Sequence, residues 1–263
     1  MIEHEFGSMK MSIDVDGVAT VVFSRPPVNA VSISVYEDIG KLCETIEAER
    51  DIRVVVLTAP DTARAWCGGA DLNDFVGMTP EKRKERYRFI NAQVPRLGNL
   101  ERPLIAAING ATIGVGVILA GLCDLRVAAE DAILACPEID YGLVSGTSGL
   151  LSQLNVPEAK VREMVLTGAR FRARELEPTG FFNYVLPKAE VLPKAMELAR
   201  MIASKSLPAV RARKVASIAE AGQAWMDAYL DCQTLSAALV AGVDSGEGVE
   251  AFLQGRRARY VDR

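Results

Sequence analysis

The sequence predicts an α/β fold, and three observations carry that expectation. Strand, loop and helix patterns alternate over roughly the first two thirds of the chain. Two short segments, Arg53 to Thr58 (RVVVLT) and Leu104 to Ile108 (LIAAI), are apolar almost throughout, as in strands covered on both faces. From Val156 onward strand signals are scarce and helical spacing takes over, so a helical layer follows the sheet-forming part.

The elements follow in order. Met11 to Asp16 alternates apolar and polar residues, and Val18 to Phe23 is rich in β-branched residues, which predicts two strands around a tight Asp16-Gly17 turn. Arg25-Pro26-Pro27 ends the second strand. Ser34 and Glu37 make a capping-box pattern for a helix with Val35, Ile39, Leu42 and Ile46 along one face. The Arg53 to Thr58 strand comes next, then a long loop from Ala59 to Ala70. A basic helix starts near Pro80, with Tyr87, Ile90, Val94 and Leu97 at helical spacing and Pro95 marking a kink or break. After the Leu104 to Ile108 strand, a glycine-rich turn leads into a short apolar helix from Gly114 to Gly121, and Leu125 to Ala129 reads as another strand. Pro157 suits a first helical turn and Gly168 a C-terminal cap, which frames a helix over Glu158 to Thr167. Further helices fit Ala189 to Lys205, Pro208 to Ala221 and Trp225 to Gly242. No linker-like stretch, internal repeat or low-complexity segment separates them.

Composition narrows the chemistry. With 49% hydrophobic and 24% charged residues, the chain can bury a core. Its 30 basic and 34 acidic residues give a net charge of −4 with no basic stripe, which speaks against nucleic acid as a partner. His4 is the single histidine, so a Ser-His-Asp triad in mid-domain, a Cys-His pair and a zinc site built on two histidines are excluded. The cysteines (Cys43, Cys67, Cys123, Cys136, Cys232) are odd in number and widely spaced, as reduced thiols of a cytoplasmic protein would be. No apolar run is long enough to span a bilayer, and the first residues do not read as an export signal. Gly7-Ser8-Met9 reads equally as native sequence or as a vector remnant.

Three segments stand out chemically. In Trp66-Cys67-Gly68-Gly69-Ala70-Asp71-Leu72, consecutive glycines let the backbone approach a ligand and leave N–H groups aimed at it, as an anion or a developing oxyanion requires; a plain tight turn has the same signature. Ile108 to Ile118 (INGATIGVGVI) runs from strand through glycines into helix, but Leu119 stands where a dinucleotide fingerprint needs its third glycine, and close helix–strand packing explains the glycines as well. In Cys136-Pro137-Glu138-Ile139-Asp140-Tyr141-Gly142 an acid follows a short apolar strand; loop carboxylates are more often solvated than catalytic. Ser32, Ser34 and Ser145 have no partner base. The Lys82-Arg83-Lys84-Glu85-Arg86 run reads as a solvated helix face, with contact to substrate phosphates as the minor alternative.

Taken together and in order, these segments resemble the enoyl-CoA hydratase/isomerase superfamily, the crotonases, nearly end to end. Arg25-Pro26-Pro27-Val28-Asn29-Ala30 is similar to the early R-P-x-x-N-A turn. Trp66 to Leu72 is similar to F-C-A-G-A-D-L, and Ala107 to Gly116 to A-x-N-G-x-x-x-G-G-G. Cys136-Pro137-Glu138 matches the P-E that carries a catalytic glutamate, and Asp244 to Phe252 (DSGEGVEAF) matches D-x-x-E-G-x-x-A-F. The resemblance implies a crotonase-like spiral of ββα units with a C-terminal helical trimerisation region. Residues 1–200 would form the core with the acyl-CoA site and residues 201–263 the packing and oligomerisation region, within one structural unit. It further implies an acyl-CoA thioester as ligand, assembly as a homotrimer or a pair of trimers, and no cofactor or metal beyond the coenzyme A of the substrate. Carried over by position, the backbone N–H groups of Ala70 and Val115 form an oxyanion hole, and Gly68, Ala70, Asp71 and Leu72 lie along the CoA. Glu138 is the acid/base, Cys67 packs without nucleophilic chemistry, and Arg25, Arg256, Arg257 and Arg259 are candidates for phosphate or subunit contacts.

Two departures set the expected reaction. Val115 replaces the middle glycine of G-G-G, keeping its N–H but adding a β-branched side chain. Ile118 stands where a hydratase of this family has its other glutamate. Moving a double bond from C3 to C2 of an enoyl thioester needs only one base and an oxyanion hole. Isomerisation by Glu138 alone is therefore the preferred reading. The alternatives are hydration with Asp140 or Tyr141 as a second acid, decarboxylation or hydrolysis of a thioester, and a catalytically silent CoA-binding protein.

Overall fold

A computed structural model describes residues 2–222 and 224–261 of the 263-residue chain. A hairpin opens it. Strands β1 (Ile2–Phe6), β2 (Met9–Ile13) and β3 (Val18–Phe23) pair antiparallel in sequence. β1 is not evident in the sequence pattern, because only Phe6 of its residues is buried. The Gly7-Ser8 pair is its turn, held by Asp38, whose Oδ2 accepts from the Ser8 N–H at 2.9 Å and from the Ser8 hydroxyl at 2.8 Å. Helix α1 (Ile33–Ala48) buries Val35, Ile39, Leu42 and Ile46 as expected. It starts two residues earlier than Ser34 predicts: Ser32 is the cap residue, its hydroxyl 2.9 Å from that of Ser34, and no side chain caps the helix.

From there the chain repeats one unit. β4 (Val54–Thr58), β6 (Leu104–Ile108) and β8 (Leu125–Ala129) each enter the larger sheet, and each is followed by a three-residue strand of a second sheet, β5 (Ala65–Cys67), β7 (Ala111–Ile113) and β9 (Ile133–Ala135). After these pairs come helix α2 (Pro80–Gly98), helix α3 (Val115–Gly121) and, beyond a short 3-10 helix at Pro137–Tyr141, helix α4 (Thr147–Gln153). The alternation of large-sheet strand, small-sheet strand and helix is a spiral of ββα units. β5 overturns the expectation of an unstructured loop over 59–70. α2 runs through Pro95 to Gly98 without a break.

Helix α5 (Glu158–Thr167) ends at Gly168 as expected, followed by β10 (Phe171–Arg172), α6 (Ala173–Leu176) and β11 (Tyr184–Leu186). The larger sheet has the order β1-β2-β3-β4-β6-β8-β11, parallel from β3 onward, and the smaller one β10-β9-β7-β5. Every residue of β4 and β6 is buried, which is why their sequences carry no alternation. Helix α7 (Lys188–Ala203) packs on β4, β6 and β8, across the expected division at residue 200. Helices α8 (Leu207–Ala221), α9 (Ala224–Leu239) and α10 (Val243–Leu253) complete the tail. No described helix is long and apolar enough to cross a membrane.

Candidate active site

Strands β5, β7 and β9 lie side by side and parallel, so the three segments that leave their C-terminal ends emerge on one edge of the smaller sheet. Those are the three chemically distinctive segments of the sequence. They border a cavity of about 560 Å³ whose lining includes Arg25, Gly68, Ala70, Asp71, Leu72, Val115 and Glu138. The structure thus brings these seven residues to one place, together with Ile118.

The first loop is braced by the early proline turn. The Val31 N–H donates to the Gly69 carbonyl at 2.7 Å, the Asp71 N–H to the Val31 carbonyl at 3.0 Å, and the Gly68 N–H to the Asn29 carbonyl at 3.2 Å. Asn29 is buried, and its Nδ2 donates to the Ala65 carbonyl at 2.9 Å, tying the turn to β5. Arg25 completes the brace, its Nη2 donating to Asp71 Oδ2 at 2.8 Å and its Nη1 to the Ala30 carbonyl at 3.0 Å. Burial pushes the Asp71 carboxyl up, but hydrogen bonds from Asn73 and Arg25 outweigh it and hold the group below the usual carboxylate range. Gly69 takes φ of 91°, open only to glycine at low cost. With its neighbours fixed this way, the Ala70 N–H has no acceptor among the described residues.

The second donor comes from the start of α3. Gly114 takes φ of 53° and ψ of −115° and turns the chain from β7 into the helix, its own N–H donating to the Ala135 carbonyl at 2.9 Å. Val115 is the first helical residue, so its N–H has no partner within the helix, nor any other acceptor among the described residues. A Cβ on Gly116 would stand 2.9 Å from Cys67 Cβ, so a glycine there lets α3 sit against the end of β5. Val115 itself is buried and its side chain borders the cavity, as does that of Ile118 one turn along.

Glu138 lies on the 3-10 helix Pro137–Tyr141, aimed at the same point. A Cβ built on Gly114 would stand 2.7 Å from Glu138 Oε1, while Oε2 is buried without a hydrogen-bond partner. Desolvation raises its pKa from 4.5 to about 7; the backbone, the neighbouring Ser145 hydroxyl and the Arg83 charge pull the other way. This segment is backed by α10, where a Cβ on Gly248 would meet Tyr141 Cα at 2.6 Å. The glycine of the D-x-x-E-G stretch therefore sets how closely α10 approaches the glutamate loop.

Other candidates are placed elsewhere. Asp140 is exposed and does not line the cavity; its carboxylate would stand 3.0 Å from a Cβ on Gly168. Tyr141 lines the cavity and packs edge-on against Phe252, with ring centroids 5.5 Å apart, and burial pushes its hydroxyl up to about 12. Burial also pushes the Cys67 thiol up to about 12, so it holds its proton. Arg256 is engaged within the chain, its Nη1 and Nη2 donating to Glu247 at 2.5 and 2.8 Å.

One expectation is overturned. Lys82, Lys84 and Glu85 are exposed, but Arg83 and Arg86 are buried and line the cavity. They share the inward stripe of α2 with Ile90, Val94 and Leu97, and that continuation at helical spacing was the available signal. Arg83 lies over Phe75 and Tyr87, 4.3 and 4.6 Å from the ring centroids, while Arg86 Nη1 pairs with Asp74 Oδ2 at 2.7 Å. The aromatic faces and the aspartate are what permit two cations inside an apolar cavity.

Comparison with known proteins agrees with this architecture. The sequence model of the enoyl-CoA hydratase/isomerase family matches residues 14–263. A Bacillus subtilis protein provisionally named enoyl-CoA hydratase/isomerase YngF is 31% identical over 256 residues, covering 96% of this chain and 98% of its own. The 2,3-dehydroadipyl-CoA hydratase of Escherichia coli is 31% identical over 252 residues, covering 94% and 96%. The crystal structure of an enoyl-CoA hydratase/isomerase from Pseudoalteromonas atlantica shares the fold with a TM-score of 0.84 over 97% of this chain and 100% of its own, at 23% identity.

Proposed function

Because the chain belongs to the enoyl-CoA hydratase/isomerase family, we propose that it isomerises 3-enoyl-CoA thioesters to 2-enoyl-CoA thioesters, with Glu138 as the single acid/base. The carboxylate takes a proton from C2; the freed C–H pair forms a C1=C2 double bond while the carbonyl pair moves onto the thioester oxygen, giving a dienolate. As the carbonyl re-forms, the double bond settles between C2 and C3 and the C3=C4 pair takes the proton back from the same carboxyl at C4. The Ala70 and Val115 N–H groups hold the developing oxyanion, and each such donor is worth about 3–4 kcal/mol. Gly68, Ala70, Asp71 and Leu72 run along the CoA, and Arg25 holds Asp71 in place.

The observation that carries the reading is a cavity bordered by one carboxylate of raised pKa, Glu138, and by the apolar Ile118 of α3. A pKa of about 7 suits a group that must both accept and return a proton near neutrality. Hydration is the second reading, favoured by relatives named hydratases. It lacks a second base: Asp140 is outside the cavity, Asp71 is held by Arg25, and Tyr141 keeps its proton far above neutral pH.

We include self-association in the proposal, as a trimer or pair of trimers in the cytoplasm. Leu235, Leu239, Val243, Phe252 and Leu253 of α9 and α10 are exposed apolar residues that such an assembly would cover. Light scattering on the purified protein tests that part.

The test of the activity is an assay with a 3-enoyl-CoA and a 2-enoyl-CoA. Isomerisation of the first, with little hydration of the second, is the expected outcome. Strong hydration of the 2-enoyl thioester by the wild type overturns the single-base mechanism, and binding of acyl-CoA without turnover of either leaves a silent binder.

A further inference from the structure

We infer that the acyl group this cavity selects carries a second carboxylate, bound by the Arg83 guanidinium; the inference rests on the acyl-CoA reading above and names the substrate class of the same site.

The argument starts from the arginines that border the cavity. Arg25 is satisfied by Asp71 and the Ala30 carbonyl. Arg86 has Asp74 for Nη1, yet its Nη2 is buried with no acceptor among the described residues. Arg83 has no carboxylate within ion-pair distance among the described residues. Its Nε and Nη1 are buried with no acceptor among the described residues, and Nη2 has the Ser236 hydroxyl at 3.3 Å. Three guanidinium nitrogens on two adjacent side chains of α2 are thus left without acceptors beside the same cavity.

Such an arrangement is costly unless something answers it. A charge removed from water and left unpaired is strongly disfavoured, and the faces of Phe75 and Tyr87 offset part of that. A cavity made only for an aliphatic acyl chain has no use for the charge, and a leucine or methionine at residue 83 would line it at lower cost. A carboxylate at the far end of the acyl chain supplies the missing acceptor, and the planar guanidinium matches it. Glu138 does not fill that role: its buried Oε2 has no hydrogen-bond partner among the described residues.

The experiment compares saturated thioesters, which bind without reacting: glutaryl-, adipyl- and suberyl-CoA against pentanoyl-, hexanoyl- and octanoyl-CoA, by calorimetry. At least one dicarboxylic thioester should bind about tenfold or more tightly than the monocarboxylic one of equal carbon number, the size of one charge-assisted hydrogen bond. That ratio should fall to about threefold or less in Arg83→Met and recover in part in Arg83→Lys, which keeps the charge without the fork. The inference is overturned if each monocarboxylic thioester binds as well as its dicarboxylic counterpart in the wild type, a comparison that needs no variant to fold. It is equally overturned if the preference persists in Arg83→Met. Failure of every thioester to bind removes the acyl-CoA reading itself, a result distinguishable from a lost preference among ligands that do bind.

Discussion

A carboxylate oxygen of Glu138 lies over the α-carbon of Gly114, so close that a Cβ there would stand 2.7 Å from Oε1. The residue that turns the chain into α3 and the proposed acid/base are therefore set against each other, and glycine is what allows it. Gly114→Ala meets both a positive φ of 53° and that contact. We expect a loss of about 1–2 kcal/mol in stability from the backbone. The displaced carboxylate and tilted Val115 N–H should lower kcat about a hundredfold. Urea denaturation and steady-state kinetics on the same preparation check both, and an unchanged kcat would show that this contact is not needed for turnover.

Replacing the acid/base tests its role directly. Glu138→Gln keeps the shape but cannot take a proton, so isomerase kcat should fall by about 10²–10⁴ with acyl-CoA binding retained. In the wild type the carboxylate must be ionised to act, and burial raises its pKa to about 7, so kcat/KM should rise with pH and level off above about 7. The Arg83 charge holds that pKa down, and Arg83→Met should move the limb to higher pH. A pH profile with no limb between pH 5 and 8 would argue against Glu138 as the base.

The same raised pKa destabilises the fold. Below pH 4.5 the carboxyl is protonated in both folded and unfolded chains and has no effect. Between 4.5 and about 7 the folded chain keeps a proton that the unfolded chain has lost, so stability falls as pH rises, and above about 7 the whole penalty is present. At about 1.4 kcal/mol per pKa unit the penalty approaches about 3 kcal/mol. Glu138→Gln should therefore be more stable than wild type at pH 8 and match it near pH 4.5. A stability gap that does not grow with pH, measured by urea denaturation, would refute this.

The parts legible in the sequence are those with long or repeated signals. β4 and β6 announce themselves as apolar runs, and α1 shows its buried face at Val35, Ile39, Leu42 and Ile46. The three site loops were legible as ordered motifs, although their convergence depends on β5, β7 and β9, which at three residues each are too short to show a period. β1 was hidden because Ile2 to Glu5 stay on the surface and the pairing depends on Asp38, thirty residues away, holding Ser8. In sequence Arg83 and Arg86 look solvated, because a charge run normally is. What buries them, the rings of Phe75 and Tyr87 and the carboxylate of Asp74, becomes visible only in three dimensions.

The last prediction concerns the missing carboxylate. Ile118 is buried, one turn of α3 beyond Val115, and borders the same cavity as Glu138. If hydration is weak because the site has only one carboxylate to hold and deprotonate water, Ile118→Glu should raise the rate on a 2-enoyl-CoA by about tenfold or more. Ile118→Gln, of the same shape but without a base, should not. Two carboxylates in one cavity repel, so the pH limb of the Ile118→Glu variant should also move above that of the wild type. A double bond needs one base to migrate and water needs two groups to add, so the ratio of hydration to isomerisation is the quantity to measure. Should Ile118→Glu fold and bind acyl-CoA yet leave that ratio unchanged, residue 118 does not determine which reaction the site performs.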